Sequence, residues 1–186
     1  MQDYHDYLDQ VLVNEEQLQA RIAELGAEIS RDYNGQPLHL ICILRGGVMF
    51  LTDLMRQITT PCTVDFMAVS SYGTARKSTG QVRITLDLTE DIQERHVLLV
   101  EDIVDSGYTI RSVLELLETR KPISLKVCTL LDKPERREVE VPIHYRGFQI
   151  PNKFVFGYGL DIDEYYRNLP FIGTVDLDRY HPVDHD

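Results

Sequence analysis

The sequence predicts an α/β protein, with a central, mostly parallel sheet flanked by helices. Three observations carry this. The apolar runs LHLICIL (38–44), HVLLVEDIV (96–104) and LKVCTLL (125–131) are rich in β-branched residues and unbroken by alternation, as strands covered on both faces are. Segments with helical periodicity separate them. Parallel neighbours need crossover connections, and those helices supply them. The 186 residues fit one domain, 1–186, and no repeat, low-complexity tract or linker divides them.

In chain order, Asn14 can cap a helix and Gln17 stands at capping-box spacing. Leu18, Ile22, Leu25 and Ile29 then recur every three or four residues, up to an end near Asn34-Gly35. After the 38–44 strand, Gly46-Gly47 leads into a helix-like VMFLTDLMRQI. A second strand, Val64 to Val69, runs into SSYGTARKSTGQ, whose small, polar and basic residues resist packing, before VRITLDL resumes strand character. This predicts a hairpin with a long, mobile tip. The run at 96–104 passes through Asp105-Ser106-Gly107 into a helix with Ile110, Val113, Leu114 and Leu117 on one face, closed by Pro122. The 125–131 strand precedes a charged stretch, DKPERREVEV, and short strands are expected about KFVFGYGLD before a polar tail.

Nineteen basic against thirty acidic residues give a net charge of −11, which repels phosphate backbones and anionic lipid, so neither nucleic acid nor membrane is an expected partner. Cys42, Cys62 and Cys128 are odd in number and show no C-x-x-C spacing, which suits a reducing cytoplasm. The N-terminus has neither the basic start nor the apolar stretch of a signal peptide, and no run approaches a membrane span.

In open α/β sheets ligands bind beyond the carboxyl ends of the strands. There the third apolar run ends in Glu101 and Asp102, followed by Asp105-Ser106-Gly107-Tyr108-Thr109 opening a helix. Unpaired N–H groups, the helix dipole and the Ser106 and Thr109 hydroxyls favour a phosphate dianion. Taken alone, the turn reads equally as a simple cap by Asp105 or Ser106. The neighbouring acids shift the balance, because two carboxylates beside a phosphate repel each other and the ligand unless a hard cation or hydroxyl donors intervene. Magnesium carried in with a polyphosphate, and a sugar diol, answer both needs.

Other motifs fail. GTARKST (73–79) has Arg76 where a Walker A loop needs glycine, Gly157-Tyr158-Gly159 has Ile162 where a dinucleotide fingerprint needs its third glycine, and no G-x-S-x-G occurs. His181 and His185 lie at i, i+4, but Pro182 makes a solvated tail the better reading than a zinc helix.

VLLVEDIVDSGYTI (97–110) resembles the phosphoribosyl-diphosphate motif of type I phosphoribosyltransferases. The resemblance extends to LRGG (44–47), SSYGTARKSTG (70–80), LLDKPERR (130–137) and KFVFGYGLDIDEYYRNLP (153–170), spans roughly residues 38 to 175, and is to the bacterial-type hypoxanthine-guanine branch. It implies the type I fold with a small hood from the N- and C-terminal segments and a flexible hairpin loop. It also implies magnesium-dependent purine salvage: transfer of the phosphoribosyl group of 5-phosphoribosyl 1-diphosphate to N9 of hypoxanthine or guanine, giving IMP or GMP and pyrophosphate. Xanthine-preferring transferases and phosphoribosyl-diphosphate-sensing regulatory proteins share the fold and are the alternatives.

Position by position, the resemblance gives Asp105 the acid/base role near purine N7, Glu101 and Asp102 the ribose hydroxyls and the metal, and the loop from Asp105 through Ser106, Gly107 and Tyr108 to Thr109 the 5′-phosphate. Arg45, Gly46, Ser71, Tyr72 and Arg167 fall to pyrophosphate; some relatives have lysine where Arg45 stands, which leaves open whether its side chain or only the loop backbone binds. Lys133 falls to the purine O6, Phe154 to stacking on the base, Val155 to the base edge through its backbone, and Asp161 to both purine and metal; Asp163 and Glu164 read as exposed. A homodimer or homotetramer is implied as well.

Overall fold

In the computed structural model, described for residues 3–71 and 82–182, the elements run β1 (Leu8–Val13), α1 (Glu15–Tyr33), β2 (Leu38–Leu44), α2 (Val48–Gln57), β3 (Cys62–Ser71), β4 (Val82–Leu86), β5 (His96–Val104), α3 (Tyr108–Thr119), β6 (Ser124–Asp132), β7 (Tyr145–Gln149), β8 (Val155–Phe156) and β9 (Ile172–Val175). Six strands form one sheet in the order β4-β3-β2-β5-β6-β7, parallel except for β4, which returns antiparallel to β3. The α/β expectation holds. The hairpin tip, residues 72–81, lies outside the described residues, as does Tyr72.

Local chemistry sets the first helix. Gln17 N–H donates to Asn14 Oδ1 and Asn14 N–H to Gln17 Oε1, both at 2.9 Å, closing the expected capping box, and Asn34 at φ 47° ends the helix in the left-handed region. Leu18, Ile22, Leu25 and Ile29 pack with Phe50, Leu51 and Leu54 of α2 on one face of the sheet. On the other face Ile110, Val113, Leu114 and Leu117 of α3 do the same. Strand β2 alternates accordingly, Leu40 and Cys42 facing α1 and α2, Ile41 and Ile43 facing α3. The three cysteines are free, two of them buried.

A second, three-stranded antiparallel sheet, β1-β9-β8, joins the two ends of the described chain through pairs such as Leu8 with Val175 and Val155 with Thr174. β1, β7 and β9 carry no strand signal strong enough to be read in isolation. β1 keeps only Val13 fully buried, and β7, paired with β6 through Tyr145, Arg146, Phe148 and Gln149, brings Gly147 so close that a Cβ there would lie 2.4 Å from Leu130 O, so both strands depend on distant partners. β3 also outruns its expected bounds at both ends. Among the described residues no helix is long and apolar enough to cross a membrane.

Candidate active site

Strand register assembles the site. β5 and β6 are parallel with Val104 opposite Asp132, so the next residues, Asp105 and Lys133, leave the sheet side by side, and Lys133 N–H donates to Val104 O at 3.0 Å. Although it opens a charged stretch, Lys133 is only 7% exposed. Burial holds its pKa down, Asp105 opposes that shift, and Arg136 adds to it. Arg136 Nε stands 3.0 Å from Asp105 Oδ1 across the opening.

The loop that follows β5 decides between the two readings of its turn. Neither Asp105 nor Ser106 caps α3; Gly107 does, at φ 95° and with no side-chain cap. Only glycine takes that backbone cheaply, so the turn reverses there without using the Asp105 or Ser106 side chain as a cap. The N–H groups of the first helical turn have no intrahelical acceptor. Glu138 and Val139 N–H both donate to Ser106 O, at 3.0 and 3.1 Å, strapping the loop from behind, and a Cβ on Gly107 would meet Val139 O at 2.5 Å. Behind the strap Asp132, buried, pairs with Arg137 and with Arg146 Nε at 2.8 Å. In front is a depression of about 250 Å³ lined by Glu101, Asp105, Ser106, Gly107, Thr109 and neighbours. A larger cavity, about 560 Å³, opens at the opposite end of the sheet beside His39 and Arg95, far from these loops in the strand register.

Glu101 and Asp102 lie near the carboxyl end of β5. Glu101 is 8% exposed and its Oε2 has no partner; burial, and then the Asp102 charge, push its pKa well above the carboxylate range. Burial lifts Asp102 to about 6, against a bond from Ile103 N–H and the pull of Arg167. An orphaned buried acceptor beside a second carboxylate suits a hard cation or hydroxyl donors. Asp161 is near enough to raise Asp102, but its own Oδ1 is 2.7 Å from Arg167 Nη2, and among the described residues no three acids, histidines or cysteines group as a metal cage. Glu101, Asp102 and Asp161 are therefore not assembled as a ligand triad.

Gly46 lies directly on Asp102: a Cβ there would be 1.6 Å from Asp102 Oδ2, while a Cβ on Gly159 would be 2.1 Å from Gly46 O. Gly46→Ala is expected to cost about 1–3 kcal/mol of stability in denaturant unfolding, because Asp102 has to move; an unchanged midpoint would show that these loops are not locked together. Arg45 and Arg167 meet through Glu164 rather than directly, Glu164 Oε2 lying 2.9 Å from Arg45 Nη1 and 3.1 Å from Arg167 Nη2. Glu164 is exposed as expected but is ion-paired, and Asp163 is half-buried, accepting a bond from the Tyr180 hydroxyl.

Phe154 is 49% exposed, whereas Phe156, two residues on, is fully buried. The alternation removes Phe154 from the core. It lines a separate depression with Asp9, Lys153 and Asp178, although Ile150 N–H donates to Asp132 O at 2.9 Å and so ties its segment to the Lys133 loop. Val155 is buried in β8, paired with Thr174. Ser71 ends β3 opposite Val82.

Residues 11–163 match the phosphoribosyl transferase domain family. The chain belongs to the phosphoribosyltransferase family. This phosphoribosyltransferase is 55% identical over 179 residues to the hypoxanthine-guanine phosphoribosyltransferase of Mycobacterium avium, covering 93% of this chain and 88% of that protein. It is 50% identical over 172 residues to the hypoxanthine phosphoribosyltransferase of Haemophilus influenzae, covering 91% and 96%. Its structure superposes on that of a hypoxanthine phosphoribosyltransferase from Staphylococcus aureus with a TM-score of 0.92, at 47% identity and 96% coverage of each chain.

Proposed function

We propose that this phosphoribosyltransferase salvages purines, carrying the phosphoribosyl group of 5-phosphoribosyl 1-diphosphate to N9 of hypoxanthine or guanine, with IMP or GMP and pyrophosphate as products. The observation that carries the reading is the side-by-side exit of Asp105 and Lys133 from β5 and β6, directly beside the amide-rich start of α3. That corner joins a phosphate site, a carboxylate and a buried cation, as a nucleotide-forming reaction needs.

In the reaction the bond from ribose C1 to the diphosphate oxygen breaks and the bond from C1 to purine N9 forms, through a sugar carrying cationic character. The loop from Asp105 to Thr109 holds the 5′-phosphate by its free N–H groups and hydroxyls. Glu101 and Asp102 orient the ribose hydroxyls and would hold magnesium. When bound, that ion neutralises charge on the leaving diphosphate. Asp105 accepts the proton the purine gives up near N7. Lys133 Nζ donates to O6, which admits 6-oxopurines and disfavours adenine, whose amino group is itself a donor there. Phe154 stacks on the base, Val155 meets its edge, and Arg45, Gly46, Ser71, Tyr72 and Arg167 receive the pyrophosphate. The β1-β9-β8 sheet serves as the hood. A homodimer or homotetramer working in the cytoplasm completes the proposal.

The test follows nucleotide formation from hypoxanthine, guanine, xanthine and adenine, with magnesium and with a chelator. Turnover of the first two that is lost on chelation is expected. Preference for xanthine or adenine, or no turnover at all, overturns the reading.

A further inference from the structure

We propose that Glu164 is an internal counter-anion that occupies the pyrophosphate arginines between turnovers and competes with pyrophosphate for them. This inference rests on the assignment of Arg45 and Arg167 to the leaving group.

One carboxylate bridges both cations. Glu164 Oε2 lies 2.9 Å from Arg45 Nη1 and 3.1 Å from Arg167 Nη2, and Arg45 Nη2 also donates to Glu164 Oε1 at 3.5 Å. The arrangement is built rather than incidental on the Arg167 side: Arg167 Nη1 donates to Gly159 O at 2.8 Å, Nη2 lies 2.7 Å from Asp161 Oδ1, and Glu164 N–H donates to Asp161 Oδ2 at 2.9 Å. The backbone of Glu164 sits at φ 69°, a left-handed conformation that a side chain with a Cβ adopts at a cost, so the turn carries strain in order to present this carboxylate.

The two arginines therefore already make, with Glu164, the kind of contact an oxyanion of the leaving group would make. A carboxylate brings one negative charge and a diphosphate several, so the diphosphate displaces it; as pyrophosphate departs, Glu164 takes the arginines back. Displacement is easy because the Arg45 and Glu164 side chains are 70% and 56% exposed, and exposed pairs are individually weak. A planar arginine at position 45 can hold two contacts to one carboxylate, which a point-charge lysine would not.

The experiment is product inhibition by pyrophosphate, at saturating purine and fixed magnesium, for the wild type, Glu164→Gln and Glu164→Asp, each checked by thermal unfolding. Removing the competing charge is expected to tighten the inhibition constant about 3–10-fold and to lower KM for the sugar donor in the same direction, with KM for the purine unchanged. Glu164→Asp, which keeps the charge, should stay near the wild type. In an Arg45→Gln background the effect of Glu164→Gln should shrink, since half the bridge is already gone. Pyrophosphate that binds Glu164→Gln equally or more weakly overturns the inference while leaving the transferase reading intact. A wild type that forms no nucleotide overturns both.

Discussion

Asp105→Asn is expected to lower turnover by roughly 10²–10⁴-fold, the usual contribution of a positioned acid/base group, while leaving the melting temperature close to that of the wild type. The amide keeps the shape and loses the proton-accepting charge. Little stability depends on it: α3 is capped by Gly107, not by Asp105, and the ion pair to Arg136 joins side chains 40% and 48% exposed, a contact worth about 0–1 kcal/mol. Steady-state nucleotide formation at saturating substrates, together with calorimetry, separates chemistry from folding. A variant turning over within a few-fold of the wild type would remove Asp105 from the reaction.

Lys133→Ala is expected to reduce kcat/KM for hypoxanthine by about 10–150-fold, the equivalent of one charge-assisted hydrogen bond of about 1.5–3 kcal/mol, and to narrow the discrimination against adenine. The effect is larger than a surface lysine would give because Lys133 is 7% exposed, held beside Asp105 by its own N–H bond to Val104 O. Measuring kcat/KM for both bases, and KM for the sugar donor, identifies the cause. Loss confined to the 6-oxopurine marks an O6 contact; a parallel rise in KM for the sugar donor would instead point to a disturbed phosphate loop.

Much of this site was legible because its parts are local. Glu101, Asp102 and the loop to Thr109 lie on one strand, one turn and one helix start, so sequence proximity and spatial proximity coincide. The capping box of α1 is likewise settled within three residues. The cap of α3, left open between a side-chain cap and a phosphate loop, is decided locally too: Asp and Ser are good caps in general, but this turn needs a positive φ, which moves the cap to glycine. Other features had no local signal. The burial of Lys133 depends on β6 lying beside β5, the lock of Gly46 on Asp102 on β2 lying on the other side of β5, and the bridge of Arg45 to Glu164 on segments 119 residues apart.

The order of amino acids by itself determined the strand–helix alternation, the two faces of β2, and the acidic strand end with its phosphate-type loop, because each depends on periodicity or turn chemistry over a few residues. Only the tertiary structure decided which carboxylates are left without partners, which cations are already engaged, and that the first and last described strands share a sheet. Those are consequences of register between distant segments, where burial strips water from a charge and leaves its pKa and its partner to whatever the neighbouring strand presents.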